Sequence, residues 1–243
     1  MISRSTLNGF KALVLISLLC WCQLVSASSK PWEYEFTPYL WFAGLKGNVG
    51  IKQTNTFVDA EFDDLLKNLE TGAMFVWGAK KDNWATWVDV IYLDFEKETD
   101  RKLVTTKGDL QHTIAELAVS YRANKYSPTE WYFGGRFVDV DAGLTLAPFG
   151  ALSGSDNWFD PLVGVKTEHK LHKKFSMMVR TDLGGFGLGS DISWHFSLAG
   201  HYKFSPKMSV ILAYRYLDFD FEDDMFRYNA ALDGLGLGVN VKF

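Results

Sequence analysis

The last nine residues of the chain, LGLGVNVKF at positions 235–243, decide the fold class. Their apolar side chains stand at every second position: Leu235, Leu237, Val239, Val241 and Phe243. A period of two places these side chains on one face of a β-strand, whereas an amphipathic helix needs a period near 3.6. The segment is therefore predicted to be a strand with one apolar face and one polar face.

The same alternation recurs along most of the chain. Apolar residues occupy most even positions of residues 32–42 and 192–204, and polar residues occupy most of the odd ones. Residues 114–122, 175–183 and 208–216 alternate in the same way. The pattern predicts about ten strands of about 10–16 residues, where about 9–11 residues suffice to cross a bilayer at the usual tilt. Eight or twelve strands remain open alternatives.

Short and long connections alternate between these strands. The short ones are residues 80–83, 124–128, 171–174 and 205–207, and the long ones are residues 46–69, 97–108, 142–157, 185–190 and 222–226. Transmembrane barrels have short turns on the periplasmic side and longer loops outside. A sheet edge cannot be satisfied in lipid, so the sheet must close. The sequence predicts an all-β, closed, antiparallel up-and-down transmembrane β-barrel, and the alternative is a soluble lipocalin-type barrel with its apolar face inward.

Composition agrees with a barrel in a membrane. Aromatic residues make up 16% of the 243 residues, and the formal net charge is −4. The acidic balance and the lack of a Lys/Arg stripe argue against a nucleic-acid partner. Several aromatic residues fall near the predicted turns, where an interfacial girdle is expected. They are Trp32, Tyr34, Trp131, Tyr132, Tyr202, Phe204 and Phe243.

The first 27 residues are predicted to be a secretory signal peptide. Arg4 and Lys11 give a positive start, residues 12–22 are apolar, and Val25-Ser26-Ala27 is a small-residue cleavage site. The apolar run is shorter than the roughly 20 residues that a spanning helix needs. Both cysteines lie in this segment. A retained anchor is the alternative, and residues 28–243 form the predicted barrel domain.

The C-terminal pattern ending at Phe243 resembles the last strand of bacterial outer-membrane barrels. The resemblance implies export to the outer membrane of a Gram-negative bacterium, recognition by the barrel-assembly machinery, and contact with outer-membrane lipid and lipopolysaccharide. Other segments are similar to a largely uncharacterised family of small porin-like (OmpA/OmpW-like) barrels. They are PYLW at 38–41, FDDLLKNL at 62–69, WFDPLVGV at 158–165, GGFGLGSDISW at 184–194, and Tyr214-Arg215. This resemblance implies a fold and a location but no catalytic residues.

Ionisable residues on the polar face predict a charge network in the lumen. They are Asp89, Glu116, Arg122, Arg136, Lys166, Glu168, Arg180, Asp182, His195 and Arg215. Buried charges must pair, so such a network can fill a small barrel as structure. Alternatively, it can form a constriction that selects small solutes. A hairpin centred on residues 185–190 places Arg180 opposite His195 and Asp182 opposite Ser193, and the next turn places Ser197 near Arg215.

Two catalytic hypotheses involve the same face. His195 and Ser197 stand two apart, as in small outer-membrane lipid A deacylases, and could serve a lipid hydrolase. Asp182, Asp191 and His195 could belong to an omptin-type protease. Both side chains of the first pair are predicted to point away from lipid, and the chain is short for the second fold. No catalysis, cofactor or bound metal is expected.

The predicted outside loops carry three further features. Residues 62–69 have apolar side chains at helical spacing, which predicts a short helix that either plugs the mouth or caps it outside. The residues of the possible plug are Phe62, Asp63, Asp64, Leu65 and Leu66. Acidic clusters could hold divalent cations against lipopolysaccharide or simply be solvated. They are Asp59, Glu61, Asp63 and Asp64, and Asp218, Asp220, Glu222, Asp223 and Asp224. The glycine-rich run 184–189 predicts a tight turn with positive φ rather than a phosphate loop.

Together these features predict an integral outer-membrane barrel with a structural or narrow pore-like role. The alternatives are the hydrolase using His195 and Ser197, and a surface-interaction module acting through the long loops. The sequence leaves the permeating solute, the oligomeric state and any surface partner open.

Overall fold

The computed structural model describes residues 31–51, 54–60, 67–101, 104–124, 126–147, 150–223 and 225–243. They form eleven strands. The bounds are β1 Glu33–Ile51, β2 Thr54–Ala60, β3 Leu69–Lys81, β4 Trp84–Arg101, β5 Val104–Tyr121, β6 Thr129–Ala147, β7 Gly150–Lys170, β8 Phe175–Gly184, β9 Ile192–Lys203, β10 Met208–Glu222 and β11 Phe226–Lys242. No helix within the described ranges is long and apolar enough to cross a membrane.

Ten of these strands close into an antiparallel barrel. Each strand from β3 to β11 pairs with the next, and β1 joins β3 to β11. The closing pair β1–β11 runs from Glu35 opposite Lys242 to Ile51 opposite Phe226. Strand β2 pairs with the upper half of β1 as a hairpin and is not part of the ten-strand wall. The predicted closed all-β barrel with ten strands is confirmed.

The long connections are mostly extended hairpins rather than loops. Pairing of β4 with β5 continues to Arg101 opposite Val104, and pairing of β6 with β7 continues to Leu146 opposite Gly150. The prediction of loops at 97–108 and 142–157 was therefore wrong. The alternation of apolar and polar residues fades along these two segments of sequence, although the backbone still forms its interstrand hydrogen bonds.

The outer face of the lower barrel, next to the short turns, is apolar. Trp194 and Leu237 on this face are 38% and 47% exposed, whereas Arg180 and Arg215 are 8% and 9% exposed and point inward. All but one of the residues of the predicted aromatic girdle face outward: Trp32, Tyr34, Trp131, Tyr202, Phe204 and Phe243. Tyr132 is buried in the lumen at 1% exposure, because its neighbour Trp131 takes the lipid side of the alternation.

Along each long strand the apolar side chains change face at one level. On β10, Leu212 and Tyr214 point outward, but Leu217, Phe219 and Phe221 point inward and are buried. The other strands do the same, and a ring of outward polar side chains marks the change. We call this the polar ring; its members are Asp94, Gln111, Asp139, Asn157, Asp218 and Asp233.

Tyrosines lie directly below the polar ring and bond to it. The Tyr214 hydroxyl donates to Asp233 Oδ2 at 2.8 Å, and the Tyr216 hydroxyl donates to Asp218 Oδ2 at 3.0 Å. Tyrosines with an apolar body and a polar tip mark membrane interfaces. The polar ring therefore lies at the upper membrane boundary, and the strands continue above it into water.

The barrel lumen as candidate functional site

The centre of the lower lumen holds two arginines and two carboxylates. Arg136 Nη2 donates to Glu116 Oε2 at 2.9 Å and to Asp182 Oδ1 at 2.8 Å. Arg180 Nη2 also bonds Glu116, and it lies 3.3 Å from Asp182 Oδ2. All four residues are buried. Positive and negative charges are equal in number, so the cluster meets the requirement that buried ions be paired and hydrogen-bonded.

Neutral groups complete this central network. Tyr132 donates to Asp182 Oδ2 at 2.6 Å and accepts from Arg180 Nε at 2.9 Å. Trp87 Nε1 donates to Glu116 Oε1 at 3.0 Å. His195 Nδ1 lies 3.1 Å from Asp182 Oδ2. The Arg180 guanidinium also stacks over the rings of Trp87 and Tyr132, at 5.1 and 5.0 Å.

A second cluster lies against strand β1. Arg215 Nη1 pairs with Asp89 Oδ2 at 3.0 Å and donates to the Tyr39 hydroxyl at 3.1 Å. Tyr39 in turn donates to Asp89 Oδ1 at 2.7 Å. The Arg215 guanidinium lies 5.1 Å from the centre of the Trp41 ring. This triad joins β1, β4 and β10 across the lumen.

A third cluster lies nearer the short turns. Glu130 Oε2 is 3.0 Å from Lys166 Nζ and accepts from Ser120 Oγ at 2.9 Å, and Glu130 Oε1 accepts from Arg122. Lys166 Nζ also lies 4.7 Å from the centre of the Trp87 ring, which links this cluster to the central network.

Glu168 differs from the other predicted network members. It is exposed at the short-turn end and accepts a hydrogen bond from Ser176 at 2.8 Å. It stands on the inner face of β7, but it joins none of the three clusters because it lies near the short-turn end of the strand, where it is exposed. The other nine predicted residues lie within the clusters.

Above the charged clusters the lumen is filled by apolar side chains. Val138, Val140, Leu217, Phe219 and Tyr228 each have 0% exposure. They pack with aromatic and aliphatic side chains of six other strands in one continuous core. The ring of Trp158 stacks on that of Phe221, with centroids 4.1 Å apart and planes 9° from parallel. The lumen is thus a charged layer below an apolar layer.

The predicted register of the β8–β9 hairpin was wrong by two residues. Arg180 lies opposite Ser197, and Asp182 lies opposite His195. The reason is the connection, which runs to Asp191. Ser190 is held by Asp160, whose carboxylate accepts from Ser190 N at 2.7 Å and Oγ at 2.9 Å. The predicted proximity of Ser197 and Arg215 is confirmed, since they are direct partners.

The β8–β9 turn has the predicted positive backbone angles. Gly185 and Gly187 have φ of 85° and 72°, and Phe186 between them has φ of 54°. Glycine adopts these angles without the steric cost of a side chain.

Sequence reasoning missed several polar residues of the lumen, among them Glu130, Tyr132, Tyr39 and Asp160. Glu130 stands on the same face of β6 as Arg136, six positions before it, but the predicted network included only Arg136. Tyr132 and Tyr39 stand between apolar residues in the sequence, and nothing in the pattern indicated that their hydroxyl groups bond to lumen charges. Asp160 lies within WFDPLVGV and could have been found, because an acid between the outward Phe159 and Pro161 must point inward.

The catalytic hypotheses find no support in the geometry. His195 points into the lumen at 1% exposure, and its Nε2 has no hydrogen-bond partner among the described residues. It therefore does not activate the Ser197 hydroxyl. Asp182 and His195 form a pair, but it is sealed within the central network rather than open at a rim. Asp191 belongs to the β8–β9 connection, where its amide donates to Asp220 O at 2.8 Å.

The acidic clusters separate in the structure. Asp218 and Asp220 lie in β10 rather than in a loop, and Glu222 pairs with Arg227. Asp59 pairs with Lys46 at 3.2 Å. Within the described part of the chain, no group of three or more metal-ligating side chains is arranged to hold a metal. Glu61, Asp224 and the predicted plug residues Phe62, Asp63, Asp64, Leu65 and Leu66 lie outside the described residues.

Comparison with solved structures identifies the type of barrel. The outer membrane protease OmpT from Escherichia coli superposes with a TM-score of 0.52 at 8% identity, over 90% of this chain and 99% of that one. The fold is that of an outer-membrane β-barrel. Ail of Yersinia pestis (TM-score 0.39, 10% identity, 88% and 99% covered) and Neisserial surface protein A (0.36, 15%, 88% and 100%) also match. No protein-family model and no curated protein matches the sequence of this outer-membrane barrel.

Proposed function

We propose that the protein is a structural outer-membrane barrel whose lumen is sealed against solutes, with its long hairpins displayed at the cell surface. The observation that carries the proposal is the burial of Arg136, Glu116 and Asp182 at 0–2% exposure in mid-lumen. A pore must expose its lining to water along its whole length. Here a charged layer with paired ions is covered by an apolar layer, so two barriers lie in series.

Planar-bilayer recording tests the sealed lumen. The refolded barrel, with folding checked by its altered gel mobility without heating, is expected to give no conductance steps above leak. Stepwise openings of the unmodified protein would support the narrow-pore alternative instead. In that case Arg136→Gln should change the ion selectivity of the pore, because the negative charges of Glu116 and Asp182 would then lack one of their two arginine partners.

Cysteine labelling tests location and orientation. The predicted mature chain has no cysteine, so single cysteines can be introduced at either end of the barrel. Lys107→Cys lies in the extended β4–β5 hairpin, and Lys207→Cys lies in the short β9–β10 turn. A membrane-impermeant maleimide is expected to label the first on intact cells and the second only after permeabilisation. The reverse pattern would overturn the orientation, and labelling of neither on permeabilised cells would overturn the location.

A further inference from the structure

Strand β7 is unpaired on one side above the β8–β9 turn. It pairs with β6 as far up as Gly150, but with β8 only from Leu162 downward. The β8–β9 turn covers the next part of this side, where Asp160 accepts two hydrogen bonds from Ser190. Above the turn, no strand in the described part of the chain pairs with residues 150–158 on this side. We call residues 150–158 the open edge of β7.

Alternate residues of the open edge direct their backbone groups away from β6. The carbonyl of Pro161 accepts a hydrogen bond from the β8–β9 turn at 3.1 Å, so the odd-numbered residues of β7 turn their amides and carbonyls toward this side. Three of these amides have no strand partner among the described residues: those of Ala151, Ser153 and Ser155. The amide of Asn157 donates to the carboxylate of its own neighbour, Asp156, at 2.8 Å. A row of unpaired amides and carbonyls is a template for pairing with another chain.

The open edge lies above the membrane boundary. Asn157 belongs to the polar ring, and the rest of the outward residues of the edge continue above it. An unpaired strand edge is excluded in lipid, whereas water solvates it, so a soluble partner can reach this edge. Natural edge strands often discourage pairing with lysine or proline. Residues 150–158 contain neither, and their exposed side chains at Ser153 and Ser155 are small.

The outer face beside the open edge is acidic. Asp139 and Asp141 on β6 stand directly opposite residues of the open edge, and both are exposed. Neither carboxylate has an ion-pair partner among the described residues. Asp109 on β5 adds a third exposed carboxylate to this face, whereas Lys107, higher on the same strand, is paired with Glu96 at 2.9 Å. A strand that docks here therefore meets uncompensated negative charge.

We infer that the open edge binds an extended, lysine- or arginine-containing segment of another protein by strand addition. The backbone of the segment pairs with residues 151–157, and this pairing supplies affinity. The added strand lies two strand spacings, about 10 Å, from β6, so long cationic side chains that cross Ser153 and Ser155 approach Asp139 and Asp141. A second copy of this chain would bring the same carboxylates to both sides of the junction, and like charges oppose that pairing. The inference rests on the proposed barrel with its hairpins displayed outside the membrane.

Peptide binding to the refolded barrel tests strand addition. The barrel is placed in nanodiscs of phosphatidylcholine, which has no net charge, and a fluorescent peptide of alternating threonine and lysine is titrated by anisotropy against an empty-nanodisc background. In one comparison peptide proline replaces every second threonine, and in another glutamate replaces every lysine. Each should bind at least about tenfold more weakly, because the first loses backbone hydrogen bonds and the second loses charge attraction. Equal binding of the lysine and proline peptides, or no binding of either, would overturn the inference.

Ser155→Pro blocks the open edge itself. The amide of Ser155 points away from β6, so proline removes no ladder hydrogen bond there, and the barrel is expected to fold. Binding of the lysine peptide should fall about tenfold, because the proline ring occupies the edge and offers no amide. Ser155→Ala keeps the amide and should bind as the unmodified barrel does. Unchanged binding by a folded Ser155→Pro barrel would overturn the site, and the peptide comparison decides the matter if that variant fails to fold.

Charge variants and the oligomeric state complete the test. Asp139→Asn combined with Asp141→Asn should weaken binding of the lysine peptide. Asp218→Asn combined with Asp233→Asn is the matched control, since β8 and β9 separate these carboxylates from β7. Equal weakening in both pairs would overturn the role of the β6 carboxylates. A dimer of the unmodified barrel in light scattering that Ser155→Pro dissociates would overturn the peptide in favour of a second copy. Binding in nanodiscs is independent of orientation, so a reversed cysteine-labelling pattern would overturn the surface display alone.

Discussion

The ring of Tyr132 occupies the space that a side chain at Gly164 would need. A Cβ built at Gly164 lies 2.5 Å from Tyr132 Cζ and 2.4 Å from the carbonyl oxygen of Thr181. Glycine at this position on β7 therefore allows the tyrosine of β6 to cross its neighbour and reach Asp182 on β8. The packing of Tyr132 in the charged layer therefore depends on the absence of a side chain at Gly164.

Gly164→Ala is expected to destabilise the barrel by about 1–3 kcal/mol, as overpacking of a filled interior does. The added methyl group would displace Tyr132 and break its bonds to Asp182 and Arg180. Urea unfolding in lipid vesicles measures the effect. Gly236→Ala is the control, since the nearest atom to a Cβ there is 3.5 Å away. Equal unfolding free energies for the two variants would contradict the role of Gly164.

Arg136→Met should cost about 3–5 kcal/mol, because removing one partner leaves buried charges unpaired. Both Glu116 and Asp182 would lose a bond from the guanidinium. Lys46→Met removes the exposed pair with Asp59 and should cost about 0–1 kcal/mol. Unfolding free energies in the same vesicles make the comparison, and a similar loss in both variants would show that the lumen is wetter than its burial indicates.

Trp158→Ala is expected to cost about 3–5 kcal/mol, since it leaves a cavity in the apolar layer. The substitution removes the ring stacked on Phe221. The same change at Trp131, which is 64% exposed on the outer face, should cost less, because acyl chains can refill the space. A larger effect at Trp131 than at Trp158 would argue against a packed upper lumen.

Asp160→Ala should loosen the β8–β9 turn. The carboxylate is buried and accepts two hydrogen bonds from Ser190, and an unsatisfied buried donor costs about 1–3 kcal/mol. Chymotrypsin added to intact cells should then cleave faster after Phe186 or Leu188, which are exposed in the turn. Ser190→Ala removes one of the two bonds and should give an intermediate rate. Cleavage that is unchanged in Asp160→Ala would show that other contacts hold the turn.

In the lower half of the barrel, the period of two predicts which residues share a face, whereas the resemblance of the C-terminal strand, the predicted signal peptide and the alternation of short and long connections favour lipid on the apolar face. Trp194 and Leu198 alternate with His195 and Ser197, and each lies on its predicted side. The alternation does not predict which residue of β8 pairs with which residue of β9 across the turn. A slip of two preserves every face, so the register depends on contacts of the connection with residues distant in sequence, such as those of Ser190 with Asp160 and of Asp191 with Asp220.

The apolar upper lumen was missed for a related reason. Phe219 and Phe221 on β10 alternate with Asp218 and Asp220, so the local pattern is the same as in the lower barrel with the faces exchanged. The change of face is marked only by Tyr216 and Leu217, which stand side by side in the sequence, and one such pair is a weak signal. Above the polar ring the apolar side chains therefore face the lumen, and below it they face outward.

The polar ring also sets how far the protein is immersed. A shift of two residues toward the short turns would carry the carboxylates of Asp139 and Asp218 among acyl chains, and a shift the other way would lift Tyr214 into water. Charged groups are costly on the lipid face, and the cost falls toward its edges. The barrel therefore has one favoured vertical position, and a bilayer of another thickness should stretch or thin around it rather than move it.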